Sequence, residues 1–384
     1  MVIGYMYDLQ AYPPRGGNHR HVFELIAGFV QRGHSVTVVE DPTMPDVVNH
    51  AGDSEGLTAF ANSIDVLYVR VDARSIYKWE ALSRCVERLS DETPIVWEIN
   101  SPSDERLAFS WMGGDYSENE GPIRRFRRWL HARRQGPEIR REEQFRRTMA
   151  KRVFAAICVS GAVARYAEEQ LGLRDTLALP NAGPLVSEEE IMERRGRRSD
   201  PTFTVLYSGS AIYPWQGINY LARVIELAND RGEDMRFVLA VNQRTERLPS
   251  RGNVEVREGL NQDEVRDAMC MADVCVALPP EWPWTPYGFH GSPMKLFEYM
   301  ASMTAMVTSD LGQMREILHD GVDAILVETQ PEAILEKLIY LRDHPEHRSA
   351  IGRAAWERVH TDLNWGYNVD QTLAVFERAL TPKA

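Results

Sequence analysis

The sequence has only four cysteines, Cys85, Cys158, Cys270 and Cys275, in 384 residues. None is spaced as a metal-ligand pair, and three lie in or beside apolar runs, so reduced, buried thiols are expected. No stretch of eighteen apolar residues occurs, and no basic segment leads into an apolar core near the start. A spanning helix and a secretory leader are therefore not expected, and a cytoplasmic location is. Positive charge is in deficit, with a formal net charge of -12, which argues against a general nucleic-acid binder. The Gly-x-Gly-x-x-Gly turn of a dinucleotide dehydrogenase is missing after the first strand-like run. No Asp-x-Asp pair occurs, so no residue set calls for a metal bridging a diphosphate.

The length suffices for two domains, each burying its own core. Short apolar runs alternate with helical periodicity: Met1 to Met6, Val66 to Val71, Ile95 to Ile99 and Phe154 to Val159, then Phe203 to Ser210, Phe237 to Val241 and Ile325 to Val327. That alternation predicts an α/β fold of parallel sheets wrapped by helices. The charged stretch from Glu188 to Asp200 has the composition of a linker, and the alternation restarts behind it. Domains at 1–184 and 185–365 are expected.

The most informative stretch is Ser292-Pro293-Met294-Lys295-Leu296-Phe297-Glu298-Tyr299-Met300. Ser292 is a good N-cap residue and Pro293 suits the first helical position. Leu296, Phe297, Met300, Ala301 and Met303 form an apolar stripe, leaving Lys295, Glu298 and Ser302 on the other face. A first-turn lysine has the wrong sign for the helix dipole, and lysine before glutamate is the weaker order for an ion pair. An anion at the helix start reverses this, because amides, dipole and ammonium then converge on one phosphate. Glu298, one turn on, can accept from a vicinal diol such as a ribose. The same residues also fit a surface Lys–Glu pair on an ordinary helix.

This run, continued by Ala305-Met306-Val307-Thr308-Ser309-Asp310, Gly312, Glu316-Ile317-Leu318 and Asp320-Gly321, resembles the donor-binding half of retaining GT-B glycosyltransferases of family four, the glycosyl transferases of group 1. The resemblance implies two Rossmann-like domains facing across a central cleft, with 366–384 crossing back onto the first. It implies transfer of a hexosyl-type sugar from a nucleoside diphosphate sugar with retention, with no cofactor beyond that donor. Lys295 and Glu298 then lie at the diphosphate and the ribose. The Lys295 side chain, the Met294 and Lys295 amides and the Gly209 loop would stabilise the departing diphosphate, which itself takes the acceptor proton. Ser292, Gly312 and Glu316 fall on the donor side. Ser208-Gly209-Ser210 and Pro214-Trp215-Gln216-Gly217 resemble the donor-phosphate loop, but Ser210 and Gln216 replace the usual arginine and lysine. The missing charge falls on Lys295, on helix amides, or on Arg15 or Arg20 across the cleft. His290, assigned with Lys295 and Glu298 to the catalytic set, stands where the family often carries a glutamate that touches donor sugar hydroxyls. The segment before the first helix, with Gly16, Gly17 and His19, resembles the glycine loop near donor phosphate and acceptor.

Three further stretches stand out. Glu98 and Asn100 follow a strand, where α/β sheets place ligands, and are acceptor-side candidates; Ser101 or Ser103 capping a helix fits equally well. From Gly121 to Arg152 there are eleven arginines and one lysine against three glutamates. That basic segment, interleaved with Phe126, Trp129, Leu130 and Phe145, is either a solvated helix face or a weak contact with anionic lipid, and Gln135-Gly136-Pro137 predicts a break into two helices or a loop. Pro279 to Gly291 holds four prolines and five rings, His290 included. Its position just before the Lys295 helix favours stacking on a base or sugar, with a rigid plug as the other reading. The acceptor is expected to be a small molecule or an envelope component. Rival functions on the same fold are a sugar-nucleotide epimerase, a pseudo-glycosidic coupling enzyme and a silent nucleotide-sugar-binding protein.

Overall fold

The computed structural model describes residues 1–7, 17–40, 47–73, 79–108, 122–245, 248–249 and 251–381. Gly16 and Arg15 lie outside the described residues, as does the His19 side chain; Gly17 opens the first helix, Gly17–Gln31.

The apolar runs form two parallel sheets. In the first, β1 (Val2–Met6), β2 (Ser35–Val39), β3 (Val48–His50), β4 (Val66–Val71), β5 (Ile95–Ile99), β6 (Val153–Cys158) and β7 (Thr176–Ala178) take the order β3-β2-β1-β4-β5-β6-β7. In the second, β8 (Thr204–Gly209), β9 (Arg236–Val241), β10 (Val254–Glu258), β11 (Val274–Ala277), β12 (Ala305–Ser309) and β13 (Ile325–Val327) take the order β10-β9-β8-β11-β12-β13. Helices cover both faces, so β4 is buried at every residue and its sequence is a continuous run rather than an alternation. The strand order reverses direction at β1/β4 and at β8/β11. A crevice opens at the carboxyl end of each sheet at such a point. The four cysteines are free and buried.

The C-terminal helix, Trp365–Leu380, lies on the first sheet, with Phe376 5.8 Å from the Phe29 ring and 5.1 Å from the Tyr68 ring. Gly28 admits it: a Cβ there would sit 2.3 Å from Val369 Cγ2.

Two expectations are corrected. The stretch from 188 is not a linker but a helix, Glu188–Arg195, capped by Ser187 and docked through Arg194 onto Asp263 (2.7 Å) and Asp267 (2.5 Å). The basic segment does not break at Gly136-Pro137; it is one 29-residue helix, Pro122–Ala150, running through Pro137. Proline removes one backbone bond there. The second half of the helix is nevertheless held by burial, with Phe145 4.4 Å from the Trp79 ring and the Glu142–Arg146 pair fully inside. β3 escaped notice because Val48-Asn49-His50 is a short, largely exposed edge strand.

Candidate donor and acceptor cleft

A 1160 Å³ cleft lies between the two sheets, walled by residues at the carboxyl ends of β4, β5, β8, β9 and β11 and by the helix Met294–Ala301. That helix buries the expected stripe, together with Tyr299, whose hydroxyl accepts from Ser208 N at 2.9 Å and pins the helix to β8. Ser292 is not its cap. Pro293 takes that position with no side-chain bond, and Ser292 Oγ instead accepts from Asn181 N at 2.9 Å. The serine is used across the domains rather than along the helix.

Lys295 points into the cleft with its Nζ 4.2 Å over the Tyr207 ring. The Nζ is buried and has no hydrogen-bond partner among the described residues. Burial pushes the ammonium down to about 7, with the Glu298 charge opposing the shift. A buried cation aimed into a cavity, with no hydrogen-bonded counter-ion among the described residues, is a site prepared for an anion. Glu298 lies 3.3 Å from Arg20 Nη1, which arrives from the first helix. Burial raises its carboxyl, while Arg20, Lys295 and Arg266 hold it down.

Gly209 ends β8 at φ 140°, and a Cβ there would lie 2.7 Å from Lys295 Nζ. Gly209→Ala is expected to cost roughly 1–3 kcal/mol of stability through backbone strain and to displace Lys295. Urea unfolding checks the first; a loss below that range would show that the loop relaxes freely.

Gly209, Ser210, Gln216, Ser292, Met294, Lys295 and Glu298 line this cleft, and Asn100 lines its opposite wall. Four sequence candidates do not line it. His290 is fully buried behind the aromatic loop, edge-on to Trp282 at 4.7 Å, and burial pushes its imidazole down to about 3. Its carbonyl accepts from Ser160 Oγ at 2.9 Å, so it belongs to the seam between the sheets. Glu98 is 1% exposed and accepts from Tyr5 OH at 2.5 Å. Burial would raise its carboxyl, but Arg70 and His21 hold it well below the usual range. Asn100 donates to it at 3.2 Å, so Glu98 supports the wall without facing the cleft. Glu316 is exposed and accepts from Gly161 N at 3.0 Å. Gly312 makes room for Phe289, whose carbonyl oxygen would lie 2.2 Å from a Cβ there, rather than for a ligand.

In the aromatic loop, Trp282 and Phe289 are buried against one another at 4.9 Å, and both also line the cleft. Tyr287 reaches Glu169 of the first domain at 3.2 Å.

Several cleft residues carried no sequence signal. Arg266 sits in an ordinary amphipathic pattern, and Asp72, Arg106 and Gln135 meet only through folding. Arg20 was one of the two cations expected across the cleft. Among the described residues no cluster of three or more His, Cys, Asp or Glu is arranged to hold a metal.

Residues 202–344 match the family glycosyl transferases group 1. The match takes in the second sheet and the Lys295 helix. A phosphatidyl-myo-inositol mannosyltransferase of Mycobacterium tuberculosis H37Rv is 23% identical over 392 residues, spanning 98% of this chain and 96% of that protein. Among solved structures, sucrose-phosphate synthase from Thermosynechococcus elongatus superposes with a TM-score of 0.71 at 12% identity, covering 98% of both chains. Anabaena HepE in complex with UDP and glucose gives 0.64 at 14% identity, over 97% of this chain and 98% of that one. The fold is GT-B, two Rossmann-like units about a shared cleft.

Proposed function

We propose that the protein transfers a sugar from a nucleoside diphosphate sugar to a hydroxyl acceptor, with retention and without a metal or other cofactor. Residues 185–365 form the donor side, and 1–184 with 366–384 the acceptor side. The observation that carries this reading is Lys295: a buried, unpaired ammonium in the cleft, beside a glycine loop and one turn before a carboxylate. A diphosphate supplies the missing counter-charge, and Arg20 offers a second cation where Ser210 and Gln216 offer none. Asp72, Asn100, Arg106 and Gln135 across the cleft suit a polyhydroxylated acceptor. A diphosphate held at Lys295 can itself take the acceptor proton on the face it leaves, which suits retention.

Thermal shifts with UDP, GDP, dTDP and ADP test the donor side. A nucleotide at about a hundred times its Kd adds roughly 2.7 kcal/mol, a midpoint shift of several degrees. One nucleotide is expected to shift the wild type and to lose most of that shift in Glu298→Ala. No shift with any of the four would remove the donor reading and favour a silent protein.

A second observation concerns the acceptor. Ile123, Phe126 and Trp129, spaced by three on the Pro122–Ala150 helix, are 70%, 60% and 52% exposed. They alternate in sequence with Arg124, Arg125, Arg127 and Arg128. Exposed apolar rings among arginines suit the surface of an anionic bilayer. The curated relatives' name, which places a phosphatidyl lipid in their reaction, supports an acceptor presented there. No helix among the described residues is long and apolar enough to span a membrane, so the contact proposed is peripheral, from the cytoplasmic side. Sedimentation with anionic vesicles at low salt is expected to carry down the wild type and to fail for Phe126→Ser/Trp129→Ser. Equal sedimentation of both would sink the idea.

A further inference from the structure

A run of polar contacts links the first sheet to the start of the Lys295 helix, and its middle member is His21, 5% exposed. His21 Nδ1 lies 2.6 Å from Asn181 Oδ1. Its Nε2 lies 2.8 Å from Glu98 Oε1, an ion-pair contact rather than an aligned hydrogen bond. Asn181 in turn donates from Nδ2 to the Ser292 carbonyl at 2.6 Å and from its backbone N to Ser292 Oγ at 2.9 Å.

The proton positions follow from these partners. A carbonyl oxygen only accepts, so Asn181 must turn Nδ2 to Ser292 and Oδ1 to His21. His21 Nδ1 therefore carries a proton. Glu98 Oε1 already accepts from Arg70 Nη1 and from Asn100 Nδ2. The same oxygen meets the His21 ring at Nε2.

We propose that His21, with its Nδ1 proton on Asn181, is a positioning residue that ties the buried Glu98–Arg70 pair to Asn181 and Ser292, and so sets where the Lys295 helix begins. This rests on reading that helix as the donor site. The charged and titratable groups around His21 are Glu98 on β5, Arg70 on β4 and Tyr5 on β1, with Arg20 its neighbour on the first helix, engaged by Glu24 and Glu298. The C-terminal helix adds Trp365, edge-on at 5.1 Å, and Asn368, which donates to the Pro180 carbonyl at 2.7 Å. Removing the ring separates Asn181, and with it Ser292, from the Glu98–Arg70 pair.

Nitrogen NMR of the full chain labelled with 15N-histidine tests the Nδ1 contact, with His21→Gln giving the assignment. A proton on Nδ1 is expected for His21; a bare Nδ1 would overturn the proposal. Positioning is tested by the affinity of the nucleoside diphosphate that shifts the wild type most. His21→Gln is expected to weaken it about tenfold. Asn181→Leu, which keeps the His21–Glu98 pair intact, is expected to do the same. Unchanged affinity in the two variants would overturn the positioning role. A wild type that binds no nucleotide would sink the donor reading, while the NMR result still decides the Nδ1 contact.

Discussion

Lys295→Met is expected to lower kcat/KM for the donor by roughly 10²–10³-fold, about 3–4 kcal/mol, as for loss of one preorganised charge on a leaving group. The same change is expected to stabilise the free protein at and below neutral pH. In the folded chain, burial holds the Lys295 ammonium down to about 7, against 10.5 for an ordinary lysine. Between those values the unfolded chain binds a proton that the folded chain does not, so stability rises with pH across that window. The penalty is complete below about pH 7 and fades toward the ordinary lysine value. Methionine carries no such penalty. Urea midpoints on either side of neutrality should therefore show the variant's advantage shrinking as pH rises. A gap independent of pH would mean that Lys295 stays charged in the free protein. A bound diphosphate restores the proton, so calorimetry in buffers of different ionisation enthalpy should find proton uptake on nucleotide binding above neutral pH, and none in Lys295→Met.

Arg146→Met carries the largest expected loss of stability, about 3–5 kcal/mol, because it strands a buried carboxylate. Arg146 is fully buried; Nη1 donates to the Ser101 carbonyl at 2.8 Å, and Nη2 to the Asp72 carbonyl at 2.7 Å and to Glu142 Oε1 at 2.5 Å. It fastens the basic helix to the two loops, at Asp72 and Ser101, that line the first-sheet wall of the cleft. Burial already raises the Glu142 carboxyl, with Arg146 and then Arg106 restraining it. Without Arg146 that carboxyl rises further and the folded state takes up a proton more readily. The loss should thus be greatest above the carboxyl's folded value and partly recovered in mild acid. Glu142→Leu added to Arg146→Met should restore a good part of it at neutral pH. If the double variant is no better than the single one, the cost lies in the lost carbonyl contacts and not in the stranded charge. Activity should fall through the acceptor, since Asp72 and Ser101 lose their common anchor.

Much of the fold was legible because parallel strands buried on both faces leave continuous apolar runs, and β4, β5 and β13 fall where those runs predict them. The Lys295 helix was legible for a different reason: Lys295 sits where helix electrostatics disfavour it, and a local conflict of that kind marks a site. Direction and depth were not legible. Ser292 has the chemistry of a cap, but Asn181, 111 positions away in the chain, claims its hydroxyl. His290 and Glu98 are polar residues at well-placed positions, yet their neighbours in space, Trp282 for one and Arg70 and His21 for the other, bury them. Within the Arg-rich helix, Arg146 is wholly buried while Phe126 is exposed, the reverse of what each residue type suggests.

The sequence by itself therefore determined the two sheets, the charged helix that faces the cleft, and the absence of two expected cations, since each is a property of local pattern and residue type. Only the tertiary structure decided which polar groups meet solvent, which meet one another, and that Arg20 and Asn181 join the Lys295 helix and its start, because those outcomes depend on contacts between segments far apart in the chain.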